Sequence, residues 1–126
     1  MISRGEQNLN LGRQGEELAV DHLRRHRYRI LERNYRCRCG ELDIIARLGN
    51  TLVFVEVKTR RSDVYGPPAL SVTPFKQRQI SRAAQTWLAV NHLTEAAARF
   101  DVVAIRFYNE QPPHIEHIVN AFELAS

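Results

Sequence analysis

A chain of 126 residues, 44% hydrophobic and 25% charged, is long enough to bury one core, and nothing in it suggests a second domain, so residues 1–126 are expected to form a single unit. No stretch approaches the roughly 18 consecutive apolar residues of a membrane span, and Met1 to Asn8 lacks the apolar core of a signal peptide. The expected setting is therefore the cytoplasm, away from membranes. A formal charge of +4 favours an anionic partner without naming one.

Leu11 to His26 has helical spacing, with Asn10 as N-cap and Leu11, Gly15, Leu18, Ala19, His22 and Leu23 on one stripe. Glu16 lies at the edge of that stripe, where its carboxylate can reach over an underlying sheet or simply serve the helix dipole. Tyr28 to Arg38 reads as a first strand. Between Arg24 and Arg38 stand seven arginines against one acid, Glu32, with Tyr28 and Tyr35 interleaved, a composition suited to phosphate contacts with some stacking. Cys37 and Cys39, one residue apart on a strand, are poorly placed to bridge each other and read as two thiols.

Gly40 to Leu48 and Thr51 to Arg60 read as second and third strands joined through Gly49-Asn50. Arg61 to Val72, with Gly66-Pro67-Pro68, should be irregular and long enough for a flap carrying Tyr65. Thr73 caps a helix with Pro74 at its first position, running to about His92, with Ile80, Ala83, Ala84, Trp87 and Leu88 inward and Lys76 in the same row. Phe100 to Phe107 and Ile115 to Phe122 complete the strands. The fold class is α/β, a central mixed β-sheet flanked by helices, in which the helical crossover makes the third and fourth strands parallel.

With Gly49-Asn50 as the turn, cross-strand partners sum to 99, so Asp43 faces Glu56 and Glu41 faces Lys58. Like charges opposite one another cost roughly 0.2 to 1 kcal/mol, and more when partly buried. A divalent cation removes that cost. Hard carboxylate oxygens suit Mg²⁺ or Mn²⁺, whose other positions are filled by water and substrate phosphate. Lys58, pointing to the same side as Glu56, can orient a water or offset transition-state charge, so Asp43, Glu56 and Lys58 together suit metal-assisted phosphodiester hydrolysis. Arg36, Arg38, Arg60, Arg61, Tyr65 and Lys76 are the candidate nucleic-acid contacts, Lys76 for its place at a helix start.

Asp43 followed, after twelve intervening residues, by Glu56-Val57-Lys58 resembles the PD-(D/E)XK signature of restriction-endonuclease-like nucleases. With Glu16 in the first helix it is similar to the archaeal Holliday junction resolvases. The wider wording, Gly15-Glu16, Gly40-Glu41-Leu42-Asp43-Ile44-Ile45-Ala46, Val55-Glu56-Val57-Lys58-Thr59-Arg60 and Arg99-Phe100-Asp101-Val102-Val103, resembles the uncharacterised bacterial YraN-like family over nearly the whole chain. These resemblances imply a restriction-endonuclease-like core in which Asp43, Glu56 and the Val57 carbonyl bind metal, Glu16 supplies or orients a further ligand, and Lys58 assists the nucleophilic water. They imply a DNA endonuclease, with branched DNA as one substrate, and on such DNA two symmetric cuts predict a homodimer. Leu42 stands where the signature usually has proline.

The alternative is a nucleic-acid-binding module that keeps the fold and the acids without cleaving. A structural zinc site from Cys37, Cys39, His114 and His117 is disfavoured, because a strand turns His114 and His117 to opposite faces. Asp101 is expected to pair with an arginine such as Arg99 or Arg60, Trp87 to be core, and His22, His26 and His92 to lie on or at the edge of helix surfaces.

Overall fold

The computed structural model describes residues 3–61 and 72–123, with backbone alone at 4, 5 and 7–9. In chain order the elements are α1 (Arg4–Arg25), β1 (Arg29–Cys37), β2 (Gly40–Leu48), β3 (Thr51–Arg61), α2 (Pro74–Val90), β4 (Ala97–Tyr108) and β5 (Gln111–Phe122). The strands form one sheet in sequential order, with β3 and β4 parallel and every other neighbouring pair antiparallel. The α2 crossover enforces the parallel pair, as expected. This five-stranded mixed sheet with a helix on each face is an α/β, restriction-endonuclease-like arrangement.

Each face of the sheet has its own core. Ala19, Val20 and Leu23 of α1 pack on Ile44, Ala46, Val53, Val55, Val103 and Ile105. On the other face Ile80, Ala83, Ala84, Trp87 and Leu88 of α2 pack on Leu42, Ile45, Leu52, Phe54, Phe100 and Val102. Being covered on both sides explains why β3 is apolar on successive residues from Leu52 to Val55 instead of alternating. Gly15 lets α1 approach closely, since a Cβ there would overlap Thr59 Oγ1 of β3.

Several boundaries differ from the sequence reading. The first helix begins about two turns earlier than Leu11, and its N-cap is Ser3, not Asn10. Ser3 Oγ accepts from the Glu6 backbone N–H at 3.1 Å and donates to its carboxylate at 3.2 Å, so the first turn is closed well before Asn10. On its stripe Val20 is buried while Leu18 is only half-buried. The fourth and fifth strands both start earlier than expected, and Pro112 and Pro113 fall inside β5. Both prolines are tolerated because β5 is an edge strand and its register against β4 shifts between Arg106 and Tyr108, opposite them. Thr73 caps α2 as expected, accepting from the Lys76 N–H at 3.2 Å. The flap expected over Arg61 to Val72, with Tyr65, lies almost wholly outside the described residues.

Candidate active site

The β2–β3 ladder follows the expected register from Leu48↔Thr51 to Ile44↔Val55, with Gly49 at φ +59° in the turn. At Asp43 the two strands part. Leu42 belongs to the α2-side core and Ile44 to the α1-side core, although residues two apart on a regular strand share a face. The same reversal occurs on β1, where Arg33 reaches α1 and Tyr35 packs on the α2 side. Between them Asn34, at φ +55°, lies opposite Asp43 in the β1–β2 register. The sheet is thus creased at Asn34 and Asp43. Asn tolerates the left-handed conformation that the crease demands.

The crease corrects the expected geometry. Asp43 is not a plain cross-strand partner of Glu56: its Oδ2 accepts the Val57 backbone N–H at 2.8 Å, taking a donor that a continuing ladder would give to the main chain of β2. The Asp43 carboxylate then lines an open cavity of about 400 Å³ with Glu16, Glu41, Val57 and Thr59. Nor does Glu41 face Lys58. It pairs with Arg36 at 3.5 Å, while Lys58 Nζ lies 3.5 Å from Glu56 Oε1.

Glu56 is 7% exposed, and its ionisation is perturbed accordingly. Burial first and the Asp43 charge second push it up to about 7, against the lowering influence of Lys58 and Lys76. Burial also raises Asp43, opposed by the Val57 N–H and reinforced by Glu16 and Glu41. Two neighbouring carboxylates made costly to ionise, beside a lysine, mark a candidate site at which a cation would relieve the repulsion. The donors available to a cation are the carboxylates of Asp43 and Glu56 and the carbonyl of Val57. Among the described residues no three His, Cys, Asp or Glu side chains are gathered closely enough to enclose a metal ion. Such a donor set suits Mg²⁺ or Mn²⁺, which keeps several waters, better than a metal caged by protein alone.

Glu16 stands on the same cavity wall, but its Oε1 is engaged by Arg33 at 3.2 Å and by Asn34 at 3.0 Å. Of the basic candidates, Lys76 comes close enough to act on both Asp43 and Glu56, and Arg60 lines a second pocket with Lys58. Arg36 and Arg38 sit, exposed, at the β1–β2 turn, and Arg61 is exposed at the end of β3. Arg25 and Arg33, part of the arginine-rich run, pair with Asp21 and with Glu16 and Glu17.

The model of the uncharacterised protein family UPF0102 matches residues 15–105, which spans both Glu16 and the acidic hairpin. The chain belongs to the UPF0102 family. This is the YraN-like family that the motif wording resembles. A UPF0102 protein of Geobacter metallireducens is 66% identical over 118 residues, covering 94% of this chain and 96% of the relative. One from Geotalea uraniireducens is 64% identical over 94% of this chain and 93% of its own length. A third, from Syntrophus aciditrophicus, is 54% identical over 99% and 98%.

A second polar centre in this UPF0102 chain was only partly foreseen. Asp101, fully buried, accepts from Arg99 Nε at 3.0 Å, from the Tyr28 hydroxyl at 3.2 Å and from the Asn120 N–H at 3.0 Å. His117 Nε2 lies 2.8 Å from Asp101 and its Nδ1 lies 3.1 Å from His22 Nε2. Burial pushes Asp101 up, but the bonds from His117, Asn120 and Arg99 outweigh it and hold the carboxyl below its ordinary range. The arginine pairing was expected; the histidine chain was not, since β5 had to be placed beside β4 before His117 could meet α1. His117, which meets His22 of α1, and His114, which lines the pocket beside Arg60, face opposite sides of β5 as expected, and Cys37 and Cys39 form no disulfide. No helix among the described residues is long and apolar enough to cross a membrane.

Proposed function

We propose that this protein is a divalent-metal-dependent endonuclease that hydrolyses phosphodiester bonds in DNA. The observation that carries the reading is the perturbed, buried Glu56 set between the Asp43 carboxylate and the Lys58 ammonium. Asp43, Glu56 and the Val57 carbonyl would hold Mg²⁺ or Mn²⁺. When bound, the metal supplies Lewis-acid polarisation of the phosphoryl oxygen and lowers the pKa of a coordinated water. Lys58 donates to that water or to the phosphate, orienting attack and offsetting charge on the reacting phosphorus. Asp43 is fixed for its role by the Val57 N–H, which leaves its second oxygen to face the cavity.

Glu16 is a positioning residue, holding Asn34 and Arg33 at the crease and orienting waters on the cavity side. Lys76 draws a phosphate toward the site from the start of α2, where the helix dipole adds to its charge. Arg36, Arg38, Arg60, Arg61 and Tyr65 contact the nucleic-acid backbone and bases. On branched DNA two symmetric cuts require two copies of the chain. The second reading, a nucleic-acid-binding module without turnover, is favoured by the engagement of Glu16 with Arg33 and Asn34. The test is a panel of linear, flapped and four-way DNA treated with wild type and Lys58→Ala in Mg²⁺, Mn²⁺ and EDTA. Metal-dependent cutting lost in Lys58→Ala supports the nuclease. Salt-sensitive binding without Lys58-dependent cutting establishes the second reading instead.

A further inference from the structure

Beyond the carboxylates, the same strand continues into a pocket of opposite charge. Lys58 and Arg60 of β3, Ala104 and Arg106 of β4, and His114 and Glu116 of β5 line a cavity of about 30 Å³. The register explains the convergence: Lys58 pairs with Ala104 and Ala104 with Glu116, while Arg60 pairs with Arg106 and Arg106 with His114. Two arginines and a histidine thus stand side by side across three strands on one face. They lie past the footprint of α2, whose apolar residues cover that face only as far as Phe54 and Val102. Ala104, small and nearly buried, forms the floor.

Among the described residues, Glu116 is the acid lining the pocket, beside Lys58, which is paired with Glu56, and Arg106, which donates to the Arg61 carbonyl. A second observation is independent of charge. The Nε of Arg60 is buried without a hydrogen-bond partner among the described residues, a costly state for a guanidinium donor. An anion accepting from that Nε would settle the cost. The volume admits one or two water-sized atoms, which is room for one or two oxygens of a phosphoryl group whose remainder stays at the mouth, and too little for a sugar or a base.

We infer that this pocket is a second phosphate-binding site, which takes one phosphate group of the nucleic-acid strand beside the phosphate held at Asp43, Glu56 and Lys58. Arg60 donates through its now unpartnered Nε, Arg106 and His114 close the other side, and Lys58 is shared between the two phosphates. The inference rests on the nuclease reading for the source of the phosphate, while the pocket itself stands on the Arg60 geometry. Holding two phosphates of one strand fixes the register of the scissile bond, a function that a single charged patch cannot perform.

The probe is inorganic phosphate, titrated in EDTA into the full chain and followed by thermal unfolding, with chloride at matched ionic strength as the reference. Wild type should be stabilised by phosphate beyond chloride. Arg60→Lys keeps the charge but lacks the Nε donor, and should weaken phosphate binding by about tenfold. Ala104→Leu fills the floor and should abolish it, and Arg60→Lys carries the test should the leucine variant not fold. Single-stranded oligonucleotides with a 5′-phosphate, a 3′-phosphate or neither then compete with inorganic phosphate. Stronger competition by one phosphorylated form assigns the site to a strand end, and equal competition by all three assigns it to an internal phosphate. Stabilisation no greater than with chloride, or phosphate binding unchanged in Arg60→Lys, overturns the inference. Phosphate binding without DNA cleavage would sink the nuclease reading alone, and cleavage without phosphate-specific binding would sink this site alone.

Discussion

Replacing Glu56 with Gln removes a carboxylate that burial and the Asp43 charge raise from an ordinary 4.5 to about 7. The ordinary value describes the unfolded chain. Between pH 4.5 and 7 the folded chain therefore keeps a proton that the unfolded chain has lost, and stability falls as pH rises through that window, the loss being complete above about 7. At about 1.4 kcal/mol per pH unit, the loss between 4.5 and about 7 comes to roughly 3–4 kcal/mol, against a total of roughly 5–15 kcal/mol for a domain. With Glu56 only 7% exposed, solvent screening discounts this little. Glutamine keeps the volume and cannot titrate, so Glu56→Gln should match wild type near pH 5 and exceed it by roughly 3–4 kcal/mol at pH 8. Asp43 stays raised in both chains because burial is its main cause. His22, lowered mainly by burial, adds stability in both as pH rises through 6.5. The difference between the two chains therefore reports Glu56 together with its repulsion of Asp43. The assay is urea unfolding in EDTA at pH 5 and pH 8. A stability difference independent of pH, or a variant weaker than wild type at pH 8, would refute the reasoning.

Gly15→Ala should destabilise by about 1–3 kcal/mol, because the new Cβ runs into Thr59 Oγ1; urea unfolding of Gly15→Ala with and without Thr59→Ala checks this, the second substitution restoring part of the loss. Asp101→Asn should cost about 3–5 kcal/mol at neutral pH, since Arg99 keeps its charge without its buried partner. Because the Asp101 carboxyl is held below its ordinary 3.8, its stabilisation is present above that value and is lost as pH falls through the folded one. The gap between Asp101→Asn and wild type should narrow in acid, as followed by circular dichroism.

The ladder from Leu48 to Ile44 was legible in the sequence because Gly49-Asn50 fixed the turn, and a fixed turn fixes every pair beyond it. Reading failed where that arithmetic met the crease. Nothing in the alternation of β2 announces that Leu42 and Ile44 face opposite sides. Asn34, a residue at ease in the left-handed region, is the one local signal. The α2 helix was legible to its cap, since Thr73-Pro74 states both the capping oxygen and the fixed φ of the first turn. Ser3 and Glu6 carried an equally explicit capping signal for α1, hidden because the apolar stripe begins only further on. The acids and Lys58 were recognisable from type and spacing, whereas the roles of Glu41 and Glu16 depended on which arginines reached them. Those contacts, like the Asp101–His117–His22 chain, join residues far apart in sequence, and local pattern carries no record of them.

The central claim is that Asp43 and Glu56 hold a divalent cation, and calorimetric titration of Mn²⁺ into the metal-free chain at pH 7.5 tests it most directly. Asp43→Asn and Glu56→Gln serve as paired controls. The asparagine side-chain oxygen can still accept the Val57 N–H, so the crease should survive without the charge. The account predicts saturable Mn²⁺ uptake by wild type, displaced by Mg²⁺ and lost in both variants. Uptake that survives either substitution, or no uptake by a folded wild type, would contradict it.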